Sequence, residues 1–181
     1  MDEFCHDCEN KKFYYKRGIA AFSYSKDMKR SMYAFKYNNR REYGRFYAES
    51  ISKSYSRMIE SWKGEVLVPV PLHSHRQRKR GYNQAAVLAN YLSGSLGIPV
   101  DDKYLIRIKN TKPQKELAAK ERNNNIEKAF QIRSNSIKYK KVILVDDIYT
   151  TGATINECAK TLLAFGVEEV YFITACIGNG F

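Results

Sequence analysis

A chain of 181 residues, 44% of them apolar, is long enough to bury a core and short enough to form one domain with a small appendage. It contains no run of about 18 apolar residues, so the sequence offers no membrane-spanning helix. Its acidic, polar opening MDEFCHDCEN has the character of neither a signal nor a transit peptide, and the expected location is the cytoplasm.

The formal charge of +12 is unevenly spread: residues 1–62 carry 13 basic and 8 acidic groups, residues 63–122 carry 12 and 5, and residues 123–181 six of each. That asymmetry points to a polyanionic partner, with an unspecific solvated basic surface as the plain alternative.

Cys5 and Cys8 form a CxxC spacing, half of what a four-ligand structural zinc site needs. Cys158 and Cys176 fall in patterns of a buried helix and a buried strand, so nothing suggests a disulfide framework. RGIAAFSYS reads as a strand. Asp27 is the expected cap of a helix in DMKRSMYAFKY, with Met28, Met32 and Phe35 on one side. A second helix is expected from Glu42 to Trp62, its apolar face carrying Tyr47, Ile51, Tyr55, Met58, Ile59 and Trp62.

The pattern then changes. EVLVPVPL is a β-branched run in which Pro69 suits a strand end. NQAAVLANYLSGSLG predicts a helix from near Asn83 to Gly94 or Gly97. KYLIRI and IEKAFQI read as short strands, and KNTKPQKELAAKERNNN between them as a long charged loop with a helical turn. KVILVDD has the continuous apolar character of a parallel strand covered on both faces. TINECAKTLLAFG predicts a helix with Ile155, Cys158, Ala159, Leu162 and either Phe165 or Leu163 inward, stopped by Gly166, and VEEVYFITACIG a last strand. This alternation over residues 65–178 predicts an α/β domain with a mostly parallel sheet, whose ligands bind at the carboxyl ends of the strands.

Asp146 and Asp147 stand at such an end, followed by Thr150, Thr151, Gly152, Ala153 and Thr154 at the start of a helix. Amides and dipole at a helix start attract phosphate, and threonine hydroxyls add donors. Two carboxylates would repel phosphate, yet they suit the vicinal hydroxyls of a ribose and a nearby Mg²⁺. The composite ligand is a ribose 5-phosphate unit.

VILVDDIYTTGAT resembles the phosphoribosyl pyrophosphate (PRPP) motif of type I phosphoribosyltransferases. With VPVPLHSHRQRKRGYNQAAVLA and KPQKELAAKERNNNIEKAF, the chain more narrowly resembles the ComF competence family of DNA-uptake proteins from about Gly18 onward. The resemblance implies a type I phosphoribosyltransferase-like fold: residues 18–62 as an N-terminal hood, residues 63–181 as the α/β core, and residues 1–17 as the remnant of a Cys-rich, zinc-ribbon-like segment. It implies that Asp146 and Asp147 hold the ribose hydroxyls of PRPP and that Thr150 to Thr154 hold its 5-phosphate. The stretch with Arg76, Arg78, Lys79 and Arg80 becomes the pyrophosphate loop, and Lys115 and Arg122 lie on a flexible loop that closes over the site. Implied cofactors are Mg²⁺ with PRPP, and Zn²⁺ only as the half-site of Cys5 and Cys8. One departure stands out: Thr150 occupies the position where purine-salvage enzymes of this superfamily often place an acid.

Basic and aromatic residues interleave in KRSMYAFKYNNRREYGRFY, a composition that suits single-stranded DNA. Lys29, Arg30, Lys36, Arg40, Arg41 and Arg45 are its candidate contacts, against a helix pair that packs its aromatics inward and exposes its charges. Three functions stay open on sequence: a PRPP-dependent transferase, a non-catalytic single-stranded-DNA-binding module, and a PRPP-sensing adaptor for other DNA-uptake proteins. For the protein as a whole, a place at the inner face of the membrane through uptake partners is the alternative to a free cytoplasmic one.

Overall fold

The structure, a computed structural model, describes residues 13–109, 128–134 and 138–178. The CxxC pair Cys5 and Cys8 and the loop cations Lys115 and Arg122 lie outside the described residues. Strand β1 (Arg17–Ser23) leads into helices α1 (Lys26–Tyr37) and α2 (Glu42–Ser61). Strand β2 (Val66–Pro69), helices α3 (Ser74–Arg80) and α4 (Gln84–Leu96), and strands β3 (Leu105–Arg107) and β4 (Phe130–Ile132) follow. Strand β5 (Lys141–Tyr149), helix α5 (Ala153–Phe165) and strand β6 (Glu169–Ile177) complete the order.

Four strands form one parallel sheet in the order β1-β6-β5-β2, and β3 and β4 form a separate antiparallel pair. β5 lies between β2 and β6, and its run is continuously apolar because both of its faces are covered. Side chains alternate across a strand. Ile143 and Val145 therefore enter one core with Met32, Phe35, Tyr47, Ile51 and Leu88 from α1, α2 and α4. Val142 and Leu144 enter a second core with Ile155, Cys158 and Leu162 of α5 and Phe130 of β4. Each such fully buried aliphatic side chain stabilises by about 1.5–3 kcal/mol relative to exposure.

Three expectations change in detail, the first being Met58, expected on the apolar face of the second helix but exposed on α2. Helix α1 is capped by Ser25, whose hydroxyl accepts from the Met28 amide at 3.3 Å, not by Asp27. Asp27 instead lies in the first turn, where its charge complements the helix dipole. The basic stretch after β2, expected as a loop, winds into the seven-residue helix α3. His73 Nδ1 accepts from the His75 amide at its start, and Gly81 in the left-handed region closes it. Placing Arg78, Lys79 and Arg80 in the last turn sets cations against the negative end of the helix dipole, which favours the helix. Helix α4 begins after Asn83 and ends before Gly97, the later of the two glycines expected. No helix among the described residues is long and apolar enough to cross a membrane.

Candidate active site

β5 outlasts β2. Its last pairing with β2 is Val145 opposite Pro69, while its pairing with β6 continues to Tyr149 opposite Ile177. Asp146 and Asp147 therefore leave the apolar layer just where β2 stops, and both are half-buried. The Asp147 amide donates to Asp146 Oδ1 at 2.8 Å, fixing one carboxylate against the backbone of the next. Burial, and then the charge of Asp147, pushes the Asp146 carboxyl up to about 7, against the opposing pull of that amide, Lys36 and Arg107.

The turn after β5 delivers the start of α5. Gly152 is the cap residue at φ 76°, a left-handed conformation that suits glycine. A Cβ at this position would also collide with the ring and hydroxyl of Tyr149. No side chain caps α5, so its first-turn amides have no side-chain cap acceptor. Thr151 Oγ1 is buried and has no hydrogen-bond partner among the described residues. A buried hydroxyl without a partner is costly, and an anion at the helix start would satisfy it. Thr150 and Thr154 are half-buried beside it, and Ala153 is buried. The sequence-predicted residues of this turn thus lie together as a carboxylate pair and a helix start without a side-chain cap, on one strand, turn and helix.

The four cations of α3 separate into distinct environments. Arg78 and Lys79 are exposed. Arg80 donates to Gln84 Oε1 at 3.0 Å and to the Tyr37 hydroxyl at 3.1 Å, and its guanidinium lies 4.9 Å from the Tyr37 ring centroid. Arg76 is half-buried and faces Arg107 closely enough that, after burial, its charge is the main cause lowering the Arg107 guanidinium below its usual range.

Two residues at the site escaped the sequence reading of it. Arg107, on β3, lies 5.4 Å from the Phe130 ring centroid and interacts electrostatically with Asp146. Its signal was a cation inside the apolar strand LIR, which sequence alone does not aim. Lys36 was grouped with the candidate DNA contacts, yet its Nζ lies 2.9 Å from Asp147 Oδ2.

Among the described residues no three His, Cys, Asp or Glu side chains cluster as a metal site. Among the described residues, the donor set at the end of β5 is the carboxylate pair. That fits Mg²⁺, which binds through one or two carboxylates together with substrate phosphates and waters. It does not make a protein-only cage.

Residues 79–180 match the phosphoribosyl transferase domain family. The chain is 32% identical to Competence protein ComFC of Bacillus subtilis over 168 residues, 90% of this chain and 67% of that protein. It is 45% identical to Competence protein F of Haemophilus influenzae over 108 residues, 59% of this chain and 47% of that protein. It is 34% identical to DNA utilization protein YhgH of Salmonella typhi over 110 residues, 61% of this chain and 48% of that protein. These alignments span about half the length of the last two relatives. A match to the domain over most of the α/β core, together with an alignment to ComFC along nearly the whole chain, places this protein in the ComF family of phosphoribosyltransferase-like proteins.

Proposed function

We propose that the chain binds PRPP with Mg²⁺ and transfers its phosphoribosyl group to a nitrogenous acceptor, in the service of DNA uptake. The observation that carries this reading is the junction of β5 and α5. An adjacent carboxylate pair suited to ribose hydroxyls is followed directly by an uncapped helix start with a buried, unpartnered Thr151 hydroxyl suited to a 5-phosphate. The competence and DNA-utilization names of the relatives supply the biological setting.

In the transfer, the bond from ribose C1 to the pyrophosphate oxygen breaks and its electron pair leaves with pyrophosphate. The acceptor nitrogen supplies the pair for the new C1–N bond and gives up a proton. Asp146 and Asp147 orient the ribose ring by accepting from its hydroxyls, and their charge favours the cationic character developing at C1. The α5 amides and Thr150 to Thr154 anchor the phosphate, so the reacting carbon is held at a fixed distance from both ends. Arg76, Arg78 and Lys79 offer cations to the departing pyrophosphate. Asp146 and Asp147 would hold Mg²⁺ together with the ligand's oxygens, and the ion would add neutralisation of that pyrophosphate. Thr150 cannot act as a base, so the acceptor's proton must leave through another group.

Calorimetry with PRPP, with and without Mg²⁺, tests the reading. Saturable, Mg²⁺-dependent binding lost in Asp146→Asn with Asp147→Asn supports it; a well-folded wild type that binds no PRPP overturns it.

A second reading has its own observation. Tyr33 and Tyr37 are 58% and 47% exposed on α1, with ring centroids 4.9 Å apart and Arg80 against Tyr37. Exposed rings flanked by cations suit stacking of unpaired bases, and this favours single-stranded DNA as a partner. Inward packing of Met32, Phe35 and Tyr47 limits that role to the outer face of the helix pair.

A further inference from the structure

Helix α1 ends at the acidic pair, and its last turn is fixed there by three contacts. The Tyr82 hydroxyl donates to the Phe35 carbonyl. Gln84, itself buried, donates through Nε2 to the Lys36 carbonyl at 3.4 Å. Arg80 holds the Tyr37 hydroxyl. The backbone of Phe35 and Lys36 and the side chain of Tyr37 are therefore tied to the segment from α3 to α4. The Lys36 ammonium is presented to Asp147 from a fixed base.

The resulting ion pair differs from the protein's surface pairs. The Lys36 and Asp147 side chains are 18% and 15% exposed, whereas both partners of Arg40–Glu42 and of Arg45–Glu49 are more than half exposed. Exposed pairs contribute little, but a half-buried charge held by one partner is costly to strand. A divalent cation approaching Asp147 would meet an ammonium already 2.9 Å from Oδ2. It could enter only if that ammonium found another acceptor, and a phosphorylated ligand brings one.

We propose that Lys36 is the resident counter-ion of the acidic pair and bars a divalent cation from Asp147 until a phosphorylated ligand arrives to accept the ammonium. Lys36 is thus a positioning residue that sets the order of loading, with metal entering alongside ligand and not before it. The inference rests on reading Asp146 and Asp147 as the pair that meets ribose and cation.

The test is a titration of the full chain with Mn²⁺ alone, followed by electron paramagnetic resonance of the free ion. Wild type and Lys36→Arg bind Mn²⁺ weakly, and Lys36→Met binds about tenfold more tightly or better, because the repelling charge is gone. Adding Asp147→Asn to Lys36→Met removes the gain. Equal Mn²⁺ affinity in wild type and Lys36→Met overturns the inference, as does a gain that survives Asp147→Asn. If Lys36→Met fails to fold by circular dichroism, Lys36→Gln carries the same expectations. No PRPP is present in this titration. Failure of the wild type to bind PRPP in calorimetry would sink the proposed function by a separate result.

Discussion

Tyr149 lies against Gly152 at the junction of β5 and α5, its hydroxyl hydrogen-bonded to that of Tyr15 at 2.7 Å and its ring stacked on Phe172. The turn that forms the candidate cradle is thereby wedged from inside the protein. Glycine at 152 is needed for its left-handed backbone and for the space the Tyr149 ring takes up, besides any close approach of a ligand.

Gly152→Ala should lower stability by about 1–3 kcal/mol, through backbone strain and displacement of Tyr149. It should also weaken PRPP binding by an order of magnitude or more. Urea melts read the first effect and calorimetry the second. Unaltered PRPP affinity in a measurably destabilised variant would show that this turn is not the cradle.

The acidic pair should carry a pH signature. The Asp146 carboxyl is raised from 3.8 to about 7 in the folded chain, so between those values the folded state holds a proton that the unfolded state has released. Stability from this group therefore falls as pH rises through that window. Asp146→Asn, which keeps the shape and an oxygen acceptor, should melt higher than wild type at pH 8, and the difference should shrink as pH falls toward 4. Thermal melts of both proteins across that range provide the check; a gap that stays constant would remove burial and Asp147 as the cause.

The basic helix α3 should divide by role. Arg78→Ala and Lys79→Ala alter exposed side chains, so stability should change by less than about 0.5 kcal/mol while PRPP affinity falls. Arg80→Ala should cost about 1 kcal/mol of stability, since Arg80 braces Tyr37 and Gln84. Ribose 5-phosphate, which lacks pyrophosphate, should bind Arg78→Ala and Lys79→Ala as it binds wild type. Comparing the two ligands by calorimetry separates a pyrophosphate contact from a general loss.

For single-stranded DNA, Tyr33→Ala with Tyr37→Ala should weaken oligothymidine binding by about 1–3 kcal/mol per stacked base. Changing Arg40 or Arg41 to Ala should reduce the salt slope by about 1 each. Fluorescence anisotropy at several salt concentrations measures both, and affinity independent of salt would rule out this surface.

Much of the fold was legible because its signals are local. The run Val142 to Val145 reads as a strand covered on both faces, and Gly166 directly after Phe165 as a helix stop. The acidic pair and its turn were readable for the same reason, since strand end, carboxylates and helix start are consecutive. Lys36 and Arg107 were not, because they reach the site from elements 111 and 39 positions before Asp147 and Asp146. Nothing in KRSMYAFKY tells the inward ammonium of Lys36 from its solvated neighbours. The conformation of α3 was missed because seven charged and polar residues without a buried face give no periodicity to read.

The pairing of β1 with β6 carries a consequence for how the chain is made. Arg17 lies opposite Tyr171 and Ser23 opposite Ile177, so the strand synthesised early bonds to one that leaves the ribosome about 150 residues later. Until then β1 lacks its strand partner, β6, and the Ile143 and Val145 face that shares a core with Phe35 and Tyr47 does not yet exist. The sheet therefore closes through a contact of high sequence separation, which places its assembly after β6 is made and makes it slow relative to the local helices α1 and α2.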